Sequence, residues 1–161
     1  MSQQPRVFSE FAPALKLVIE EEFVGDALFD TLALFHDGRT RAAFHLMAAI
    51  ERGVIAAMQP AIVRHGLTLA DPESLRADGR REAEVMRSTS WAEFLTEVDQ
   101  DYPAFLEEFQ QLVRLAPEAD KADAQLLFDH EVALMDFAAA ERNGNTNSLA
   151  ILEAFLARLV G

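Results

Sequence analysis

The sequence predicts an all-α protein, an antiparallel helical bundle that forms a single domain over residues 1–161. Half of its residues are hydrophobic and 12 are Phe, which is sufficient apolar mass for a folded core. Only 7 Gly and 6 Pro are present, and Asn-Gly or Asp-Gly turns between alternating apolar runs are missing. Apolar residues recur instead at steps of three and four, which is the period of an amphipathic helix.

The first helix is expected to begin near Ser9, a good N-cap residue, or at Pro13, which suits a first turn. We expect it to end at His36, before Asp37 and Gly38, because glycine suits a left-handed cap. Its predicted inner stripe combines apolar residues with one carboxylate: Leu15, Val18, Glu22, Gly25, Phe29, Leu32 and His36.

A second helix is expected from about Thr40 to His65, and Pro60 should kink or shorten it. Its stripe again contains a carboxylate among apolar residues: Phe44, Ala48, Glu51, Ile55, Met58 and Ile62. The turn between the first two helices is short, so they should be antiparallel neighbours.

Residues 66–90 form a long connection that contains a short polar helix, with Asp71 as its cap and Pro72 in its first turn. We expect this helix to lie on the surface. Ser90 and Glu93 then have the spacing of a capping box for a third helix, which should end near Ala116.

Pro103 lies inside this third helix and should either kink it or break it, with Asp101 capping a restart. Pro117 is expected to open a fourth helix that ends at Asn143 and Gly144. A fifth helix should follow Asn147 or Ser148, with an apolar face formed by Leu149, Leu152, Phe155, Leu156 and Leu159.

Composition excludes several classes of function. The chain carries 14 basic and 27 acidic residues, a net charge of −13, without a basic cluster, so nucleic acid and anionic membranes are poor partners. It has no Cys, which excludes disulfides and thiolate metal sites. The N-terminus lacks a signal pattern and no long uncharged apolar run is present. We therefore expect a soluble, cytoplasmic protein.

Four polar residues interrupt the apolar stripes: Glu22, Glu51, Asp101 and His130. A shift of 79 residues places Glu22 on Asp101 and Glu51 on His130, and the members of each pair are 29 residues apart. In antiparallel helices, residues about equally far from the turn lie at one level. If the two hairpins pack with approximate twofold symmetry, all four side chains should reach the same layer of the core.

This arrangement resembles the ferritin-like superfamily, especially its rubrerythrin-like members, over nearly the whole chain. The resemblance implies a four-helix bundle of two hairpins joined by a long crossover, with an iron or manganese site between the hairpins. The family pattern places one Glu on each of two helices and Glu-x-x-His on each of the other two. Redox or oxygen chemistry at iron is the activity that the resemblance implies.

The first three ligand positions are only partly matched. By the resemblance, Glu22 takes the place of the first-helix Glu. Glu51 takes the Glu of the second-helix motif, but Val54 stands where its His should be. Asp101, or Glu97 one turn earlier, stands for the third-helix carboxylate.

The fourth-helix motif is also half lost, because His130 matches its His and Leu127 stands where its Glu should be. Both losses put an aliphatic residue in place of a ligand. This is expected of a metal site that has lost some of its ligands or is filled by core side chains. The candidate metal ligands are therefore Glu22, Glu51, Asp101 and His130, and the sequence does not decide whether Glu97, Glu21 or Glu131 replaces one of them.

Each candidate also has a structural interpretation. Glu22 and Glu51 would reach water if the stripes were phased differently, Asp101 would be a cap, and His130 would be a core histidine bonded to a carboxylate. Glu131 is expected on the flank of the fourth helix, alone or paired with another helix, and Glu141 near its end, in water or paired with neighbours of Arg142. The other histidines are expected at the surface or in a dimer contact: His36, His45 and His65.

Two further hypotheses do not need a metal. The bundle would act by association as a homodimer, with the fifth helix and the Phe-rich third helix buried in the interface. The central polar residues would then form a network that sets the helix register. In the other hypothesis, a small apolar ligand lies between the helices against soft side chains: Met47, Met58, Met86 and Met135.

Overall fold

The computed structural model describes residues 4–161. In this part of the chain, helices are joined by turns and loops, and there are no strands. The helices are α1 (Phe11–Ala33), α2 (Gly38–Ala57), α3 (Gln59–Arg64), α4 (Pro72–Val85), α5 (Trp91–Leu115), α6 (Lys121–Arg142) and α7 (Leu149–Val160). A short 3-10 turn, Glu118–Asp120, precedes α6. The all-α prediction is confirmed.

The first hairpin consists of α1 and α2, which pack along each other. The rings of Phe29 and Phe44, near the turn, have their centroids 6.4 Å apart. Glu22 and Glu51, further from the turn, also lie close together. Residue numbers therefore rise along one helix as they fall along the other, which confirms the predicted antiparallel pair.

The second hairpin consists of α5 and α6, which are antiparallel by the same criterion. The rings of Trp91 and Phe137 are tilted by 49° with centroids 6.1 Å apart, and Phe109 contacts the ring of His130 edge to face. α1 also contacts α5, and α2 contacts α6, so each of these four long helices touches two of the others. The largest fully buried side chains of the core are Phe44, Phe137, Leu15, Ile19, Leu32, Met47, Ile50, Met58, Leu112, Leu127, Leu152 and His130.

The predicted bounds of the first helix are wrong by a few residues. α1 begins at Phe11, between the two expected starts, and its N-cap residue Glu10 makes no side-chain cap. It ends at Ala33, three residues before His36, because the chain tightens there into i→i+3 hydrogen bonds. Gly38, with a φ of +55°, opens α2 and does not cap α1.

Proline has opposite effects at its two central positions. Pro60 ends α2 at Ala57 and fits within the first turn of α3, as predicted, because its ring cannot follow a regular helical turn. Pro103 lies within the continuous helix α5. The alternative of a break with Asp101 as cap is therefore wrong.

The capping predictions around α4 and α5 are confirmed. The Asp71 carboxylate accepts a hydrogen bond from the Ser74 amide at 2.9 Å, and Ser90 and Glu93 form a capping box. The surface placement of α4 is only partly right, because one of its faces packs closely against α1. A Cβ on Gly79 would lie 2.2 Å from the carbonyl oxygen of Val24, so glycine permits this contact.

The last two helices follow the prediction with one shift. α6 begins at Lys121, after the 3-10 turn, and ends at Arg142, followed by Gly144 with a φ of +72°. α7 contacts α2 and α6 and buries Leu152 and Phe155 against them. Its apolar face is thus used within the chain, and the homodimer stays a prediction.

One stretch, Gly38–Arg64, is long and apolar enough to cross a membrane by length and composition alone. It comprises α2 and α3, is interrupted at Met58, and carries the buried Glu51 on its inner face. Because 44% of its most apolar window is buried inside the protein, a core helix accounts for its composition. The cytoplasmic location stays a prediction.

Candidate metal centre

Three of the predicted ligands converge in the core. Glu22 from α1, Glu51 from α2 and His130 from α6 each offer a donor atom, and these atoms lie within 4.8 Å of one another. Their residues are 4%, 4% and 0% exposed, so the group is almost entirely buried. We call these residues, together with Glu131, the acidic cluster.

Asp101 lies outside this cluster. It is half-buried on α5, whereas its neighbour Tyr102 lies on the wall of a pocket beside the cluster. Because α5 continues through Pro103, its inward face follows the helical period from Val98 through Tyr102 to Phe109, and Asp101 is rotated away from that face. Glu97, the alternative to Asp101, is exposed.

Glu131 is the fourth member of the cluster, and its expected place on the helix flank is wrong. Its side chain is 12% exposed, and its Oε1 lies 3.4 Å from Nε2 of His130. Adjacent residues on a helix point about 100° apart, but the two methylene groups of Glu let the carboxylate return to the ring beside it. The sequence signal was present as the dipeptide His130-Glu131 within an apolar helix.

The ring of His130 is held by its own helix. Its Nδ1 donates a hydrogen bond to the carbonyl oxygen of Leu127 at 2.5 Å, and because a carbonyl only accepts, Nδ1 carries the hydrogen. In the neutral ring, Nε2 therefore presents a lone pair. This atom lies 3.1 Å from Glu22, 3.6 Å from Glu51 and 3.4 Å from Glu131.

Several buried atoms of the cluster lack hydrogen-bond partners among the described residues. They are Nε2 of His130, Oε2 of Glu51 and Oε2 of Glu131. Buried polar atoms without partners are costly, and here lone pairs of carboxylates face the lone pair of an imidazole. A positive charge between them, either protons or a metal cation, would satisfy all of these atoms together.

The pKa values of the three carboxyl groups are raised by the loss of solvent. Burial raises the pKa of Glu22 to about 8 and that of Glu131 to about 7. Burial, followed by the charge of Glu22, holds the pKa of Glu51 well above its usual range. Near neutral pH, protons can therefore remain on the cluster, and a bound cation would replace them.

Gly25 leaves room for the Glu51 carboxyl group. A Cβ on Gly25 would lie 3.3 Å from Cδ of Glu51, which is closer than an ordinary van der Waals contact. Gly25 was part of the predicted stripe of the first helix, and its inward position is now explained by the carboxylate that occupies the space.

A pocket of about 300 Å³ lies against the cluster. Three cluster carboxylates form part of its wall: Glu22, Glu51 and Glu131. Tyr102 and three phenylalanines supply its aromatic side. Burial and the neighbouring carboxylates raise the pKa of Tyr102 well above its usual range, so its phenol stays protonated and can donate a hydrogen bond.

Glu21, another ligand alternative, is engaged elsewhere. Its Oε1 accepts a hydrogen bond from the Arg6 guanidinium at 2.7 Å, and the same guanidinium binds the buried Glu108. Arg6 thus links the N-terminal segment to α1 and α5 at the edge of the pocket.

Two predicted surface residues belong to separate polar networks. Glu141 accepts hydrogen bonds from Trp91, Arg39 and Ser148, so of the two expected states, in water or paired, the structure shows the paired one. His65 is half-buried, with Nε2 at 2.9 Å from the buried carboxylate of Asp120. Both networks pair a helix end with a distant segment, which sequence spacing does not reveal.

No model of a known family, no curated protein and no solved structure shows a significant match to this chain. The fold and the site therefore define the protein as an all-helical chain with a buried carboxylate–histidine cluster. Its function has to be argued from that cluster.

Proposed function

We propose that this chain is a ferritin-like four-helix bundle that binds one iron or manganese ion through Glu22, Glu51, Glu131 and His130. The observation that carries the proposal is the convergence of buried donor atoms from three helices, several of which lack hydrogen-bond partners among the described residues. The packing of two antiparallel hairpins, with each long helix touching two others, supports the bundle architecture.

The donor set suits such an ion. Three carboxylates and one imidazole are the ligands that iron and manganese accept in proteins. Two donors on one first-row metal ion lie about 3–4 Å apart, given metal–ligand bonds of about 2.1 Å. The separations of 3.1–3.6 Å between His130 and the three carboxylates agree with this spacing. Because a single imidazole is present in the cluster, the site suits one ion and not the pair that the family pattern holds.

Each surrounding residue has a role that does not depend on the metal. The Leu127 carbonyl orients His130, and Phe109 packs edge to face on its ring, so Nε2 is held toward the carboxylates. Tyr102 keeps a proton at the wall of the pocket. Iron bound here would supply redox chemistry, and the adjoining pocket would admit a small reactant.

The proposal is tested by measuring Mn(II) and Fe(II) binding to the purified protein under anaerobic conditions. We expect about one equivalent to bind, and Glu51→Gln to weaken binding by at least about 100-fold, because it removes the charge of a side chain that would contact the ion. Asp101→Asn is the matched control and should bind like the wild type, because Asp101 lies outside the cluster.

Stability supplies an independent readout of the same proposal. Saturating Mn(II) should stabilise the wild-type protein and Asp101→Asn by about 3–4 kcal/mol at 100–1,000 times the dissociation constant, and Glu51→Gln by much less. Unchanged urea denaturation of the wild-type protein in Mn(II) and Fe(II), together with a metal-free preparation, would contradict the proposal.

A metal-free bundle that acts as a homodimer is the second candidate. The raised pKa values of Glu22 and Glu131 favour the metal-free part of this candidate, because protons alone can then satisfy the cluster near neutral pH. The cluster would set the helix register, and association would be the function.

The variant His130→Leu separates the two candidates. If the metal-free candidate is right, the variant should keep the elution volume of the wild-type dimer in size-exclusion chromatography and should change only the free energy of unfolding. If the metal site is right, His130→Leu should abolish Mn(II) binding at any oligomeric state. A wild-type protein that elutes as a monomer at all concentrations rules out the dimer.

A further inference from the structure

The pocket beside the acidic cluster has the charge of a cation site. No Lys, Arg or His is among the described residues that line it. Five of the lining residues are glutamates: Glu21, Glu22, Glu51, Glu82 and Glu131. Arg6 pairs with Glu21, whereas Glu82 forms no ion pair with a described residue, and the whole chain carries a net charge of −13. Anionic ligands are therefore repelled.

Two atoms on the wall independently indicate a ligand. Glu51 is 4% exposed and its Oε2 has no hydrogen-bond partner among the described residues, although it lies at the pocket. Oε2 of Glu131 is also buried and has no hydrogen-bond partner among the described residues. A single metal ion in the cluster carries fewer positive charges than the glutamates around it carry negative ones, so further positive charge remains favourable.

The remaining wall is aromatic and apolar. Such a wall suits a ligand with an apolar body better than a second hydrated metal ion. Phe29, Tyr102, Phe105 and Phe109 present rings to the pocket. Aromatic faces attract organic cations and also bury apolar groups. The volume of about 300 Å³ suits a small molecule at the lower end of the range for ligand pockets.

We propose that this pocket binds a small organic ammonium ion with an apolar body, such as an aryl- or alkylamine. The inference rests on the proposed function, because the same carboxylates would hold the metal ion. Glu82 marks the entrance, since it is exposed on α4 and its carboxylate forms no ion pair with any described residue. The close contact of Gly79 with α1 fixes this entrance.

The test is calorimetric titration with three probes of one shape: benzylammonium, benzyl alcohol and benzoate. We expect benzylammonium to bind at least about tenfold more tightly than benzyl alcohol, and benzoate not to bind, because the probes share a phenyl ring and have different charges. Saturating the protein with Mn(II) should weaken benzylammonium binding, since it neutralises part of the wall, and should leave benzyl alcohol binding unchanged.

A pair of variants on α4 locates the site. Glu82→Gln should lower the affinity for benzylammonium by about three- to tenfold and leave that for benzyl alcohol unchanged. Glu84→Gln, also exposed on α4 but outside the pocket, should bind all probes like the wild type. Equal affinities for the amine and the alcohol, or an effect of Glu84→Gln as large as that of Glu82→Gln, would overturn the inference.

Mn(II) binding to the same preparations keeps the two proposals distinguishable. Mn(II) binding without benzylammonium binding overturns the amine pocket and leaves the metal centre. Benzylammonium binding that depends on Glu82, in a protein that binds neither Mn(II) nor Fe(II), supports the pocket and overturns the metal centre.

Discussion

In the absence of metal, raising the pH from 5 to 8.5 is expected to lower the free energy of unfolding by about 6 kcal/mol. The cause is the acidic cluster, in which the folded protein holds Glu22 with a pKa of about 8 and Glu131 with a pKa of about 7, against an ordinary value of 4.5. Between these values the unfolded chain has released protons that the folded protein still binds. The stabilisation is therefore complete below pH 4.5 and is lost as the pH rises through 7 and 8.

Other carboxylates do not change this sign. Hydrogen bonds and ion pairs lower the pKa values of Glu118, Asp120 and Glu141, so their contributions are lost only as the pH falls below about 4.5. Among the carboxyl groups with shifted pKa values, only those of the cluster therefore change the stability between pH 5 and 8.5.

Urea denaturation at constant ionic strength with a chelator present measures this slope. Glu22→Gln should flatten it, because the amide does not titrate, whereas Glu97→Gln at the exposed surface should leave it unchanged. With saturating Mn(II) the slope should diminish or reverse, since the metal binds the ionised carboxylates. A chelated wild-type protein whose stability is constant or rises across this range would show that the carboxyl groups are not buried together.

Gly79→Ala is expected to destabilise the protein by about 2–3 kcal/mol, the cost of overpacking a closed contact. The new Cβ would lie 2.2 Å from the Val24 carbonyl oxygen and 2.9 Å from the Leu28 amide nitrogen, and these backbone atoms belong to α1. Gly to Ala inside a free helix is normally stabilising by about 1 kcal/mol, so the predicted sign is opposite to that of helix propensity.

Asp78→Ala is the matched control for this variant. Asp78 is exposed on the same helix and pairs only with Arg81 at the surface, so its loss should cost at most about 1 kcal/mol. Thermal and urea denaturation of the three proteins measure the difference. A Gly79→Ala protein as stable as the wild type would mean that α4 is not packed against α1 at this distance.

The same glycine explains why the surface assignment of α4 was incomplete. A polar helix with few large apolar residues is typical of a solvent-exposed connection. Its close approach depends on the absence of a side chain, and a missing side chain leaves no trace in the apolar pattern. The position of Glu82 at the pocket follows from this contact and could not be predicted from its local sequence.

Local sequence patterns alone were sufficient to predict most of the helices and where they begin and end. The apolar period, Asp71 and Ser90 as caps and the break at Pro60 depend on interactions within a few residues, so the sequence determined them. It also singled out Glu22, Glu51 and His130, because a polar residue in an apolar stripe is visible without a structure.

Only the tertiary structure decided which neighbours complete the cluster. The rotation of α5 about its axis turns Tyr102 inward and Asp101 away, and the reach of one side chain brings Glu131 back to His130. The Leu127 carbonyl that orients the ring is invisible to side-chain patterns. These features depend on how separate helices are rotated and spaced by long-range packing, whereas the periodicity of the sequence specifies a face only to within about one residue step of 100°.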